Sequence, residues 1–367
     1  MSNHGKSIAP FPIASIRAFV GSPEFTNIPD ESLSDYWRHH HEKITFDFDT
    51  GLGVAGESGV YTPRRTRNIF QKLGWWISSP RTNTAIIWDT LLHRLIAKSG
   101  LAFEMVPVPA DLAFDAVMSA HPAVDPVPSP LHVDFKDVAA RAGAFVNHEA
   151  VDRDYRALSN GIPTNDYVLL SYYYMNLLNH FGVLEGGVRF LEIGAGNGNL
   201  SALLLRHRRG PCFIVDLPRT LTASIVHLSQ LYPDLNFVLP HEAASTDFTG
   251  ADLVFLTPAQ IDLIPDHACD LTVNTHSFQE MTPPQIAAYF ALIDRVVAPG
   301  GHFFTVNRAE KIPVGAEEPN SSSPAEVVRF ADYPWNPAWS DLAYQICPMG
   351  RLLGRDNWFL RLRRKPQ

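Results

Sequence analysis

The chain reads as an α/β protein built on a doubly wound, mostly parallel sheet, preceded by a helical amino-terminal domain. Three observations predict this. From Gly187 onward short apolar runs alternate with helical segments, which is the pattern of parallel strands joined by crossover helices. A glycine-rich turn at 194–198 follows the first of those runs. The preceding half shows helical periodicity and proline-rich connectors, with no defensible strand alternation. The division expected is 1–160 for the helical domain and 161–367 for the α/β domain.

In the first half the clearest helix spans 83–99, where Ile86, Ile87, Leu91, Leu92, Leu95 and Ile96 recur at helical spacing and Gly100 follows as a cap. A second is expected over 134–147, and a third over 165–181, closed by Gly182. Six prolines between 106 and 131 forbid a long helix there, so that stretch reads as an ordered connector. In the second half the strands expected are 188–193, 212–216, 252–256, 269–275, 302–307 and, last, 357–363. The helices between them centre on 200–206, 221–231 and 284–297, with a turn at Pro299-Gly300-Gly301 and a mobile loop over 312–325.

Composition narrows the function before any motif does. The 367 residues are 46% hydrophobic and 19% charged, and thirty basic against thirty-eight acidic side chains give a formal charge of -8. That balance argues against a general nucleic-acid binder, which needs a cationic surface, and favours a small-molecule ligand. Cys212, Cys269 and Cys347 are odd in number and widely spaced, so neither a disulfide framework nor a cysteine zinc site is expected. No apolar run approaches the roughly 20 residues that span a bilayer. No membrane partner and a cytoplasmic location are therefore expected.

The most informative segment is Glu192-Ile193-Gly194-Ala195-Gly196-Asn197-Gly198, where a buried strand turns into a helix. Each glycine removes a side chain that would hold a ligand away from the backbone, and the helix start favours an anionic group. Glu192 would repel a pyrophosphate there but could pair with an ammonium. Asn199 stands where the third glycine of the dinucleotide fingerprint belongs. Asp216 ends the next strand, 20 residues after Gly196, where a carboxylate can accept two hydrogen bonds from a ribose diol. An amino acid end plus a ribose describes S-adenosylmethionine.

This pattern resembles the nucleotide-binding signature of class I S-adenosylmethionine-dependent methyltransferases. A narrower likeness lies in Asp216-Leu217-Pro218-Arg219-Thr220-Leu221, in Asn274-Thr275-His276-Ser277-Phe278-Gln279-Glu280-Met281, in Asn307-Arg308 and in Tyr333-Pro334-Trp335. Over about 165–340 these segments are similar to a bacterial family of sugar O-methyltransferases. The resemblance implies the Rossmann-like class I methyltransferase fold, S-adenosylmethionine as cofactor and a small hydroxylated acceptor such as a sugar. It implies a cofactor site of Glu192, Gly194, Ala195, Gly196, Asn197, Gly198, Asp216, Leu217, Asn274 and Thr275, with Gln260 after the third strand reading the adenine. The amino-terminal domain would lid the site or pair two copies into a homodimer.

Methyl transfer to a hydroxyl leaves one proton to remove, and histidine is its usual acceptor. His276 directly follows the fourth strand at the carboxyl edge of the sheet. It reads as that base, as a cap or pocket wall, or as one ligand of a metal for which no third ligand is identifiable. Glu280 would stack beside it if a helix begins near Ser277, orienting it or taking the proton itself. Gln279 and Asn274 are expected to bond the cofactor or the loop. His39-His40-His41 reads as a solvated surface run. At least two of Tyr172, Tyr173 and Tyr174 read as core, with one free to cover the cofactor. Trp75-Trp76 and Trp335 read as core or as a stacking surface for the acceptor. The basic end, Arg361, Arg363, Arg364 and Lys365, reads as the solvated, frayed end of a strand. Two alternatives stay open: methylation of nitrogen or carbon, and a nicotinamide-dependent oxidoreductase using the same turn.

Overall fold

The computed structural model of the chain describes residues 13–28, 45–47, 53–55, 157–159, 162–164, 166–311, 327–348 and 358–367. The expected helices at 83–99 and 134–147, the proline-rich connector, the loop at 312–325, His39-His40-His41 and Trp75-Trp76 lie outside the described residues.

Among the described residues the chain opens with helices α1 (Ile13–Val20) and α2 (Pro23–Thr26) and two short antiparallel ribbons. These are β1 (Thr45–Asp47) with β2 (Gly53–Ala55), and β3 (Ala157–Ser159) with β4 (Ile162–Thr164). The ribbons correct the all-helical reading of the first half: with three residues a strand they are too short to leave an alternation signal. Helix α3 (Asp166–His180) follows, matching the third expected helix, and Gly182 closes it at φ +69°.

The α/β unit then runs β5 (Phe190–Ile193), α4 (Asn199–Leu204), β6 (Cys212–Val215), α5 (Pro218–Leu231), β7 (Phe237–Val238), α6 (Pro240–Ala243), β8 (Leu253–Leu256), β9 (Cys269–Thr275), α7 (Pro283–Val296) and β10 (Val297–Arg308). The ribbon β11 (Glu310–Lys311) with β12 (Val328–Arg329), then β13 (Ser340–Ile346) and β14 (Trp358–Arg364), complete it. Eight strands form one sheet in the order β13-β14-β10-β9-β5-β6-β8-β7. From β10 to β7 all neighbours are parallel, while β14 runs antiparallel to both β10 and β13. This is the Rossmann-like doubly wound sheet that the sequence predicts.

Burial explains why these segments are strands. β5, β6 and β8 are buried at every position, as parallel strands covered on both faces must be. Their alternation divides the core in two. Phe190 and Ile214 face α3, α4 and α5 together with Tyr173, Leu203 and Leu228. Leu191, Phe213 and Val215 face α7 with Ile286, Phe290 and Ile293. The chain steps outward from β5 to β6 and later crosses to β9 on the other side. The strand order therefore reverses between β5 and β9, and a crevice opens at their carboxyl ends.

Three sequence readings need correction. β7 and β13 were not foreseen: β7 is two residues long, and β13 is an edge strand whose register slips between Asp341 and Ala343. The basic end is solvated at Arg364 but not at Arg361 and Arg363, because β14 is an interior strand. Arg361 and Arg363 are buried, with Arg361 bonded through both Nε and Nη2 to Asp341 at 2.7 and 2.8 Å and stacked 4.2 Å over Trp335. A bidentate carboxylate and an aromatic face supply what water would have supplied. Helices α1 and α2 carry Ile16, Phe19 and Phe25 into the same core as α3 to α5, where Phe19 stacks on His241 and Phe25 lies under Arg219.

Candidate cofactor site

A cavity of about 610 Å³ lies at the reversal point, walled by the ends of β5, β6 and β9 and by α3 and α7. Of the residues singled out in the sequence, Glu192, Gly194, Ala195, Gly196, Asn197, Asp216, Leu217, Thr275, His276 and Glu280 line it. Gly198, Gln260 and Asn274 do not.

The three glycines of the turn have three different jobs, which corrects the reading that each clears space for a ligand. Gly194 (φ +73°) is closed in by Ser277: an added Cβ would sit 2.1 Å from its Oγ. Gly196 (φ +60°) faces open space, with nothing within 4 Å of an added Cβ, so this is the point where the backbone can be approached. Gly198 caps α4 and packs against Ser224 and Leu228 of α5. Nor are all the turn's amides spare for an anion. Gly194 N donates to Val215 O at 2.8 Å, and Gly196 N to Asp216 Oδ2 at 2.8 Å.

Two carboxylates sit beside that opening. Glu192 is 2% exposed and accepts from the Ser201 hydroxyl through Oε2; burial pushes its pKa up to about 7, Ser201 opposing and the Asp216 charge adding. Asp216 is 7% exposed and accepts from the Gly196 and Leu217 amides, one on each oxygen. Burial raises it to about 7 as well, against the pull of those two amides. None of the described residues lining the cavity is a lysine or arginine. The site thus holds two acids in a place that penalises their charge, and a cationic or hydrogen-donating ligand would relieve that penalty.

Across the cavity, β9 runs into the turn that carries His276. This residue stands at φ +64°, a conformation that costs a non-glycine residue on the order of 1 kcal/mol. The surrounding turn holds it there. His276 N donates to Val306 O at 2.7 Å, Asn274 Nδ2 to Ile193 O at 3.0 Å, and Asn307 Nδ2 to Asn274 Oδ1 at 2.8 Å. Gln279 Oε1 accepts from Arg308 N, and the Gln279 backbone N–H donates to Asn307 Oδ1. Asn274 and Gln279 therefore fasten the loop. Gln260, expected at the adenine, is instead consumed in capping the turn that starts at Thr257: its Oε1 accepts from Thr257 N and its Nε2 donates to Pro240 O at 2.8 Å. Pro258 and Ile261 line the cavity in its place.

The helix expected from Ser277 is a single 3₁₀ turn, Phe278–Glu280. Thr282 and the paired Pro283 and Pro284 follow too closely for an α-helix to begin earlier. Glu280 shares the cavity with His276 without the helical stacking predicted for the pair. The His276 ring lies 4.1 Å, centroid to centroid, from Trp358, and its Nε2 is 2.9 Å from the Tyr174 hydroxyl.

Tyr174 is the one tyrosine of its run that reaches the cavity; Tyr172 and Tyr173 pack in the core. Trp335, a candidate stacking surface, is packed against Phe290 and Arg361 and bonded to Phe330 O, away from the cavity. Sequence reasoning missed the α7 wall of Pro284, Gln285, Ala288 and Tyr289. Their i, i+1, i+4, i+5 spacing marks one helical face beside the end of β9, and could have shown it. Among the described residues no three His, Cys, Asp or Glu side chains gather as metal ligands.

No known family's sequence profile matches the chain, and no curated protein does. Solved structures resemble it at low identity. One is an S-adenosylmethionine-dependent methyltransferase from Mesorhizobium loti, at 15% identity and a TM-score of 0.33, over 49% of this chain and 92% of the other. Another is phosphoethanolamine N-methyltransferase 1 from Haemonchus contortus in complex with phosphoethanolamine and S-adenosylhomocysteine. It is 11% identical with a TM-score of 0.33, over 49% of this chain and 40% of that one.

Proposed function

We propose that the chain is an S-adenosylmethionine-dependent methyltransferase that methylates an oxygen of a small hydroxylated metabolite, a sugar or glycosylated natural product. The observation that carries this reading is the pair of buried carboxylates, Glu192 and Asp216, flanking the open face of Gly196 in a cavity whose described lining has no basic counter-charge. A pyrophosphate would add negative charge to that place. A ligand with an ammonium, a ribose diol and a cationic sulfur matches it instead.

When bound, S-adenosylmethionine supplies a methyl group on a positively charged sulfur. Glu192 would pair with its ammonium, Asp216 would accept from the ribose diol, and Leu217, Pro258 and Ile261 would border the base. The protein's further work is to hold an acceptor oxygen in line and to take one proton. His276 is the proton acceptor in this reading, with Glu280 on the same cavity wall. Its strained backbone, fixed by the Asn274–Asn307 network, sets that ring in place.

Calorimetric titration with S-adenosylhomocysteine and with NADH tests the cofactor. Binding of the former alone is expected, and binding of NADH alone would replace this reading with an oxidoreductase. With an acceptor in hand, His276→Ala should lower the methylation rate about 10²- to 10⁴-fold. A rate left nearly intact would point to nitrogen or carbon methylation, where no strong base is needed.

A further inference from the structure

We propose that Tyr174 and His276 act as one proton-transfer unit, in which the Tyr174 phenol meets the acceptor hydroxyl and His276 Nε2 receives the phenol's proton. The inference rests on the methyltransferase reading above and goes beyond it by moving the contact with the acceptor from the imidazole to the phenol.

The contacts around the ring point to this order. Nε2 is faced by Tyr174 Oη at 2.9 Å, and Nδ1 is a buried atom with no access to the cavity. Trp358, buried and outside the cavity lining, lies against the ring at 4.1 Å. Nδ1 is thereby closed to an incoming hydroxyl, and Nε2 is occupied by the phenol. Tyr174 lines the same cavity from α3, and its ring is held by Phe304 at 5.4 Å and by Tyr173 at 6.1 Å. The two residues are 102 positions apart in sequence and come from elements on either side of the cavity.

The proton count closes without a further reactant. As the acceptor oxygen is methylated, its proton passes to Tyr174 Oη and the phenol's own proton passes to Nε2; once the product has left, the imidazolium returns its proton to the phenol as the phenol gives one to water in the cavity. This sequence needs an unprotonated Nε2 in the resting protein, so the neutral ring must carry its hydrogen on Nδ1. A phenol that accepted from Nε2–H could pass nothing on.

The tautomer is observable in histidine-labelled protein by long-range ¹⁵N–¹H NMR at pH 8, with His276→Gln identifying the ring's signals. The wild-type ring is expected to show Nδ1 protonated and Nε2 unprotonated, and Tyr174→Phe to lose that preference. A proton on Nε2 in the wild type, or an unchanged pattern in Tyr174→Phe, would overturn the unit. Calorimetry with S-adenosylhomocysteine on the same wild-type sample separates the two levels. Binding together with the wrong tautomer overturns the relay alone, whereas absence of binding overturns the methyltransferase reading and the relay with it.

Discussion

The two ends of the parallel strands treat their acids in opposite ways. At the amino-terminal end, Asp270 is gripped by Arg189 through two nitrogens and by Arg209, and Asp252 pairs with Arg208. Although partial burial works against it, the arginine bonds hold the Asp270 carboxyl well below the ordinary range. At the carboxyl-terminal end, Glu192 and Asp216 are more deeply buried and meet only a hydroxyl and backbone amides, and both are raised to about 7. One end neutralises its charges with arginines; the other gives its acids only a hydroxyl and backbone amides. Burying both acids costs the fold stability at that end whenever they are ionised.

The sharpest way to break that contrast is Asp216→Ala. It should weaken S-adenosylhomocysteine binding about 100-fold, the scale of losing hydrogen bonds to a charged group, read by calorimetry. An unchanged affinity would mean that the acid serves only the Gly196 turn.

The pH dependence of stability separates the two ends next. Glu192 and Asp216 have raised pKa values in the folded chain, so the folded state binds more protons than the unfolded one between about 4 and 7. Their contribution is fully present below the unfolded values and is lost as pH rises through about 7. Ligand-free protein should therefore lose about 2 kcal/mol of unfolding free energy between pH 6 and pH 8 in urea titrations, and bound S-adenosylhomocysteine should shrink the loss. Asp270 is depressed, so its contribution is present above the ordinary aspartate value and is lost only in acid, as pH falls below that value.

Asp270→Ala should destabilise the fold by about 2 kcal/mol at pH 7 by stranding two arginines, with cofactor affinity unchanged. Glu192→Gln should do the reverse: about 1 kcal/mol more stable at pH 8 without ligand, because an ionised group no longer has to be buried, and about tenfold weaker in S-adenosylhomocysteine binding. The smallest effect belongs to Arg208→Ala. Its partly exposed pair with Asp252 should be worth only about 0.5 kcal/mol in denaturant.

Much of this was legible before any coordinates. Strands buried on both faces show as apolar runs: β6 and β8 are unbroken ones, β5 is broken only by Glu192, and β9 keeps Leu271 and Val273 among polar residues. The acid before the glycine turn and the acid at the end of the next strand are local features, and both arrive at the cavity. What stayed hidden was set by contacts distant in sequence. Gly194 answers to Ser277, 83 residues on. Gln260 is spent on Pro240, and Arg361 is buried because Asp341 and Trp335 meet it. The Tyr174–His276 contact has no sequence signature at all, since only the packing of α3 beside β9 creates it.

The placement of β14 has a consequence for synthesis. The last strand in chain order is inserted between β10 and β13, pairing with β10 from His302↔Arg364 to Arg308↔Trp358. A chain emerging from the ribosome has no partner for the outer edge of β10 until translation reaches Arg364. At elongation rates of about 5–20 residues per second, that edge waits roughly 3 to 11 seconds between Arg308 and Arg364.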